Sequence, residues 1–148
     1  MRALLQPVYG EADTLTVGEA PIPVPGRGQL LIHVMAASVN AADVFVMRGV
    51  PRMVRLGNGL GHPARRRLGM DVAGFVADVG PGVTRWQVGD AVFGQGTATF
   101  AEFALAEERH LATLPQGVEP EQAATLPVAG TTALRAVEVA RVMPGQRV

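Results

Sequence analysis

Cysteine is absent from all 148 residues. That excludes disulfides, thiol nucleophiles, thiolate zinc sites and iron–sulfur clusters, and it suits a reducing compartment. No apolar run approaches the ~20 residues of a membrane helix. Met1-Arg2-Ala3-Leu4-Leu5 is cut short by Gln6-Pro7, so no signal peptide is expected, and a cytoplasmic protein away from membranes is. Neither sign of charge is in excess: 13 basic residues balance 13 acidic ones, which gives no electrostatic case for nucleic acid or an anionic membrane. Aromatics are few, five Phe, one Tyr and one Trp, against 18 Gly and 11 Pro. Short strands and many turns, packed through small side chains, are the expectation.

The most informative stretch runs from Leu68 to Gly94. Val72, Gly74, Val76 and Asp78 alternate with Ala73, Phe75, Ala77 and Val79, so each face is mainly small or apolar, as in a strand at least partly covered on both sides. Gly80-Pro81-Gly82 stops it, and Gly89-Asp90 turns the chain again before Ala91-Val92-Phe93. Strands are also predicted over Arg2–Leu5, Leu15–Glu19, Gln29–Ser38, Thr99–Ala106 and Leu111–Leu114. Prolines 21, 23 and 25 mark an extended spacer.

Asn40 to Met47 reads as a short helix with Asn40 as N-cap and Asp43 at the third position, a variant capping box. Pro51 to Arg67 has no period and reads as a surface loop, with Arg65-Arg66-Arg67 as a solvated charge run in preference to a phosphate-attracting cluster. Pro120 opens a helical turn over Glu119–Thr125. A longer helix is predicted over about Gly130–Met143, closed by Pro144-Gly145, and Gln146-Arg147-Val148 reads as the start of another strand. A chain ending there is expected to be the N-terminal part of a longer protein. Residues 1–125 read as one domain and 126–148 as a connecting helix and the start of the next.

Five segments, in order, resemble the medium-chain dehydrogenase/reductase superfamily, in its zinc-free quinone-oxidoreductase-like branch. They are Ala37-Ser38-Val39-Asn40 with Asp43; Gly69-Met70-Asp71-Val72-Ala73-Gly74; Val79 to Val83 with Val88 to Val92; Ala101-Glu102-Phe103; and Leu126 to Ala133. The resemblance implies a mainly β fold with a few helices: a GroES-like, partly open β-barrel whose C-terminal helix leads towards a Rossmann domain. No G-x-G-x-x-G follows a strand here, and Gly57-Asn58-Gly59-Leu60-Gly61 lacks the spacing. The resemblance further implies NADPH as cofactor, bound mainly by that second domain, and a homodimeric parent. The 148 residues alone are expected to bind NADPH poorly and to be inactive.

Zinc-dependent members of the superfamily carry a Cys where this chain has Asn40 and a His where it has Met70. Amide and thioether are poor zinc ligands, and His33, His62 and His110 lack ligand spacing, so no metal is expected. Hydride delivery to a quinone or enone then needs a hydrogen-bond donor at the developing oxyanion. The resemblance places Asn40 near nicotinamide and substrate, and Thr132 against the nicotinamide, while capping remains an equal role for Asn40 and a competing one for Thr131 or Thr132. Asp43 and Asp71 read as supporting carboxylates behind the contact residues. Phe45, Met47 and Met70 are candidates for an apolar substrate wall, with core packing as the alternative. Phe45 stands where many quinone reductases have Tyr, so the proton is expected from solvent. The competing functions are the enoyl-reductase component of a multi-enzyme synthase and a non-catalytic GroES-like structural or interaction protein.

Overall fold

The computed structural model of the chain describes residues 1–64 and 67–147. Arg65 and Arg66 of the tri-arginine run, and Val148, lie outside the described residues. Strands β1 (Arg2–Leu5) and β2 (Thr16–Glu19) pair antiparallel as a separate ribbon. Strands β3 (Gln29–Ala36), β4 (Asp71–Val79), β5 (Ala91–Thr97) and β6 (Phe103–Thr113) form a closed antiparallel barrel in that order. The helices are α1 (Ala41–Arg48), α2 (Val54–Asn58), α3 (Pro120–Ala123) and α4 (Pro127–Ala140).

Closure corrects the expectation of a partly open barrel, and β6 explains it. The two short strands expected over 99–106 and 111–114 are one strand of eleven residues. Its first half pairs with β3, from Gln29 opposite Glu107 to His33 opposite Phe103. Its end pairs with β5, Gly94 opposite Leu111 and Val92 opposite Thr113. The polar run Glu107-Glu108-Arg109-His110 interrupts the apolar alternation and hides the continuity. The β5–β6 register slips across this run, from Gly96 opposite Ala106 to Gly94 opposite Leu111, so the strand bulges there and resumes its pairing beyond it.

Leu30, Ile32, Val72, Val76, Val92, Ala106 and Leu111 fill the barrel; a large aliphatic buried this fully contributes about 1.5–3 kcal/mol. On the other side of β4, Ala73 packs with Ala123 and Ala124 of the α3 segment. Both faces of β4 are therefore covered from Asp71 to Gly74, whereas Phe75, Asp78 and Val79 are exposed. Gly74 is dictated by crowding: a Cβ there would lie 2.0 Å from the His33 carbonyl oxygen.

Three other expectations change. The 51–67 segment contains α2, held by tertiary contacts: Tyr9 Oη donates to the Asn58 and Gly59 carbonyls at 2.8 and 2.7 Å, and the Arg55 guanidinium lies 4.6 Å over the Tyr9 ring. Helix α4 starts at Pro127, three residues earlier than read, and closes at Arg141 in the left-handed conformation before Pro144-Gly145 is reached. Gln146 and Arg147 are not in a strand.

Candidate functional site

Strand β3 runs out at Ala36 and the chain crosses Ser38 to Asn40, which enters α1 in an extended conformation. Asp43, at the third helical position, accepts the Asn40 backbone N–H at 2.9 Å. The Asn40 side chain reaches the neighbouring strand, its Nδ2 donating to Asp71 Oδ2 at 3.0 Å. Ser38 Oγ donates to the same oxygen at 2.9 Å. Asp71 Oδ1 accepts the backbone N–H of Val128 at 3.0 Å. Asp71 is fully buried, and its charge is held by three donors and by the positive end of α4.

Asp43 is also buried. Desolvation raises its carboxyl above the ordinary aspartate value, and the charge of Asp71 adds to the rise; the backbone N–H groups of Asn40 and Gly69 and the Asn40 side chain pull the other way. Asp43 and Met70 line one cavity of about 130 Å³, with Val46, Asn58 and Gly69 among the other walls. Gly69, at φ +100°, is required before Met70, because a Cβ there would lie 2.3 Å from Thr99 Oγ1. Asn40, Asp43, Met70 and Asp71 thus form one cluster.

Thr132 lies in the second turn of α4. Its hydroxyl donates to the Val128 carbonyl at 2.6 Å, and Thr131 donates likewise to the Pro127 carbonyl. Neither caps the helix, whose N-cap is Leu126, and the Thr132 N–H lies beyond the free first turn expected for it. Among the described residues no three His, Asp or Glu side chains gather as a metal site.

Residues 26–116 match the alcohol dehydrogenase GroES-like domain. The chain belongs to this family. With it comes membership of the medium-chain dehydrogenase/reductase superfamily, of which this is the N-terminal domain. The chain is 38% identical over 141 residues to a phthioceranic/hydroxyphthioceranic acid synthase of Mycobacterium tuberculosis, covering 94% of this chain and 6% of the synthase. The quinone oxidoreductase of Coxiella burnetii superposes with a TM-score of 0.86 at 31% identity, over 98% of this chain and 46% of that one. A mycobacterial protein whose structure holds NADPH superposes at 0.82 and 31%, over 99% and 43%. The chain therefore spans less than half the length of these relatives.

Other candidates in this GroES-like domain fall apart from the cluster. Met47 is buried, and its carbonyl accepts Gln6 Nε2 at 2.6 Å, which suits the core-packing alternative. Phe45 stands half exposed on α1. Thr132, Arg135 and Ala136 border a shallow open hollow along α4. The Asn40 amide and the Thr132 oxygen are a donor and an acceptor of the kinds a carboxamide such as that of nicotinamide pairs with, whereas this sequence holds no glycine fingerprint for a pyrophosphate.

Two participants were not anticipated. Ser38 carried no signal beyond standing two residues before Asn40. The Val128 N–H had one: Leu126-Pro127 opens α4 without a capping side chain, so its first free N–H requires an acceptor from elsewhere in the fold.

Proposed function

We propose that this chain is the substrate-side domain of a zinc-independent, NAD(P)H-dependent oxidoreductase that reduces quinones or α,β-unsaturated carbonyls. The observation that carries the reading is the Asn40 amide held by buried Asp71, beside Met70, with an amide and a thioether at the two positions zinc enzymes use for ligands. Its support is an oxidoreductase family whose relatives include a quinone oxidoreductase and an NADPH-bound protein. In this reading residues 1–125 form the substrate unit, and 126–148 connect it to the nucleotide-binding half of a homodimeric protein.

NADPH, when bound, supplies the hydride. Asn40 spends one amide hydrogen on Asp71 and keeps the other to donate to the substrate carbonyl oxygen as negative charge builds there. Thr132, whose hydroxyl hydrogen is committed to Val128, keeps its oxygen lone pairs as an acceptor for the carboxamide of the nicotinamide. Met70 and Phe45 present apolar surface, and Phe45 has no proton to give, so solvent returns the proton. Asp43 and Asp71 support the loop and do not touch substrate.

The test is NADPH oxidation with a quinone and with an enone, by the protein comprising this chain and a nucleotide-binding domain. Substrate-dependent oxidation is expected with the pair and none from the 148 residues alone; turnover by those residues alone contradicts the division of labour. A second reading, the enoyl-reductase component of a multi-enzyme synthase, is favoured by the match to the mycobacterial synthase. Preference for an acyl thioester enone over a free quinone distinguishes it.

A further inference from the structure

We propose that Asp71 is a positioning residue that couples the orientation of the Asn40 amide to the seating of α4, so that one carboxylate sets both the residue assigned to the substrate oxygen and the residue assigned to the nicotinamide. The functional weight of this coupling rests on the reductase reading above. The coupling itself rests on geometry.

Helix α4 is attached to the barrel almost entirely through its first turn. Of its fourteen residues only Pro127 is buried, while Leu134, Val137 and Val139 stand exposed. Leu126 provides no side-chain cap, and Pro127 has no N–H, so Val128 offers the first free donor of the helix. That donor goes to Asp71 Oδ1 at 3.0 Å. One turn on, Thr132 is tied back to the Val128 carbonyl. A continuous hydrogen-bonded line therefore runs from the Asn40 amide through Asp71 and Val128 to Thr132.

The chemistry of the link is directional. An ionised carboxylate only accepts, so Asn40 must turn its Nδ2, and not its Oδ1, towards residue 71. Ser38 and Asn40 share Oδ2, and Val128 holds Oδ1. Among the described residues no cationic side chain pairs with Asp71. Its charge is divided among the three donors, so removing one strengthens the hold on the others. Asparagine at 71 would keep the shape but present an N–H to a ring of donors. It would favour a flipped Asn40 and weaken the grip on α4.

The experiment uses the ¹⁵N-labelled 148-residue chain and reads the Val128 amide and the Asn40 side-chain NH₂ in proton–nitrogen correlation spectra. Among the described residues, the side-chain hydrogen bonds of Ser38 and Asn40 reach α4 only by way of Asp71, and Asn40→Ala and Ser38→Ala each remove one of them. Both are expected to move the Val128 amide proton downfield, and Ser38→Ala to move the Asn40 NH₂ pair with it. Asp71→Asn is expected to move Val128 upfield and to speed exchange of its amide about tenfold or more, the equivalent of one charge-assisted hydrogen bond. If Asp71→Asn fails to fold, the two alanine variants decide. A Val128 resonance that stays in place in both alanine variants overturns the coupling, whatever the protein's activity on quinones or enones.

Discussion

Replacing Gly74 by alanine tests how closely the barrel holds β3, the strand that delivers Ser38 and Asn40. The new Cβ would lie 2.0 Å from the His33 carbonyl oxygen and 3.1 Å from the Met35 nitrogen, where ordinary contact begins near 3.4 Å. The obstacle is backbone, and Gly74 pairs with Val34 on one side and Val92 on the other, so β4 cannot swing away without breaking a ladder. Relief requires β3 to retreat by about 1.4 Å. Overpacking of this kind costs typically 1–3 kcal/mol, and an unyielding backbone puts it at the upper end. The entropy lost from the unfolded chain on Gly→Ala returns about 0.4–1 kcal/mol, leaving a net loss of about 2 kcal/mol. With a urea slope of about 1–3 kcal/mol/M for a small protein, the unfolding midpoint should fall by about 1 M. The internal control is Gly130→Ala in α4, where a Cβ meets nothing within 4 Å. There the change should stabilise the helix by about 0.5–1 kcal/mol. A Gly74→Ala midpoint equal to or above wild type would refute the close approach of β3 and β4.

Asp43 has its carboxyl raised above 3.8 chiefly by burial, so between the two values the folded chain binds more protons than the unfolded one. Its contribution to stability is present at low pH and lost as pH rises through the raised value; relative to Asp43→Asn, the wild type should gain stability as pH falls from neutral, and an opposite slope in urea titrations would contradict this. Tyr9→Phe removes the hydroxyl that holds the Asn58 and Gly59 carbonyls. At about 1 kcal/mol for that hydrogen bond, tryptic cleavage at Arg52 or Arg55 should accelerate about fivefold, and an unchanged rate would show that α2 is held by other contacts. Thr132→Val removes an acceptor while leaving the helix intact, so the NADPH KM of the complete enzyme should rise about threefold to tenfold with kcat little changed; an unaltered KM counts against the cofactor role.

Order and type of most elements were legible because they rest on local chemistry: Asn40 and Asp43 at a helix start, Pro120 opening α3, Gly80-Pro81-Gly82 ending β4. Barrel closure was not, because pairing of β6 with β3 is backbone hydrogen bonding between residues 70 to 78 positions apart, and β6 resumes its pairing with β5 only beyond the polar run 107–110. The start of α4 was misplaced because Leu126-Pro127 has no side-chain cap; its cap lies on β4, outside any local window. For the same reason Asp71 read only as a supporting carboxylate. Asn40, Asp43, Met70 and Asp71 do come together, whereas Met47 turns into the interior, since a helix of two turns presents only part of its circumference to any pocket.

The central claim is metal-free reduction with the Asn40 amide at the developing oxyanion. Its most direct test is the rate of NADPH oxidation by the complete enzyme after exhaustive chelation, with quinone and enone acceptors, for wild type and Asn40→Ala. The expected result is full turnover after chelation and a fall in kcat of about 10² in Asn40→Ala, the scale of one oxyanion donor. Turnover that vanishes on chelation and returns with zinc, or an Asn40→Ala enzyme as fast as wild type, would contradict it.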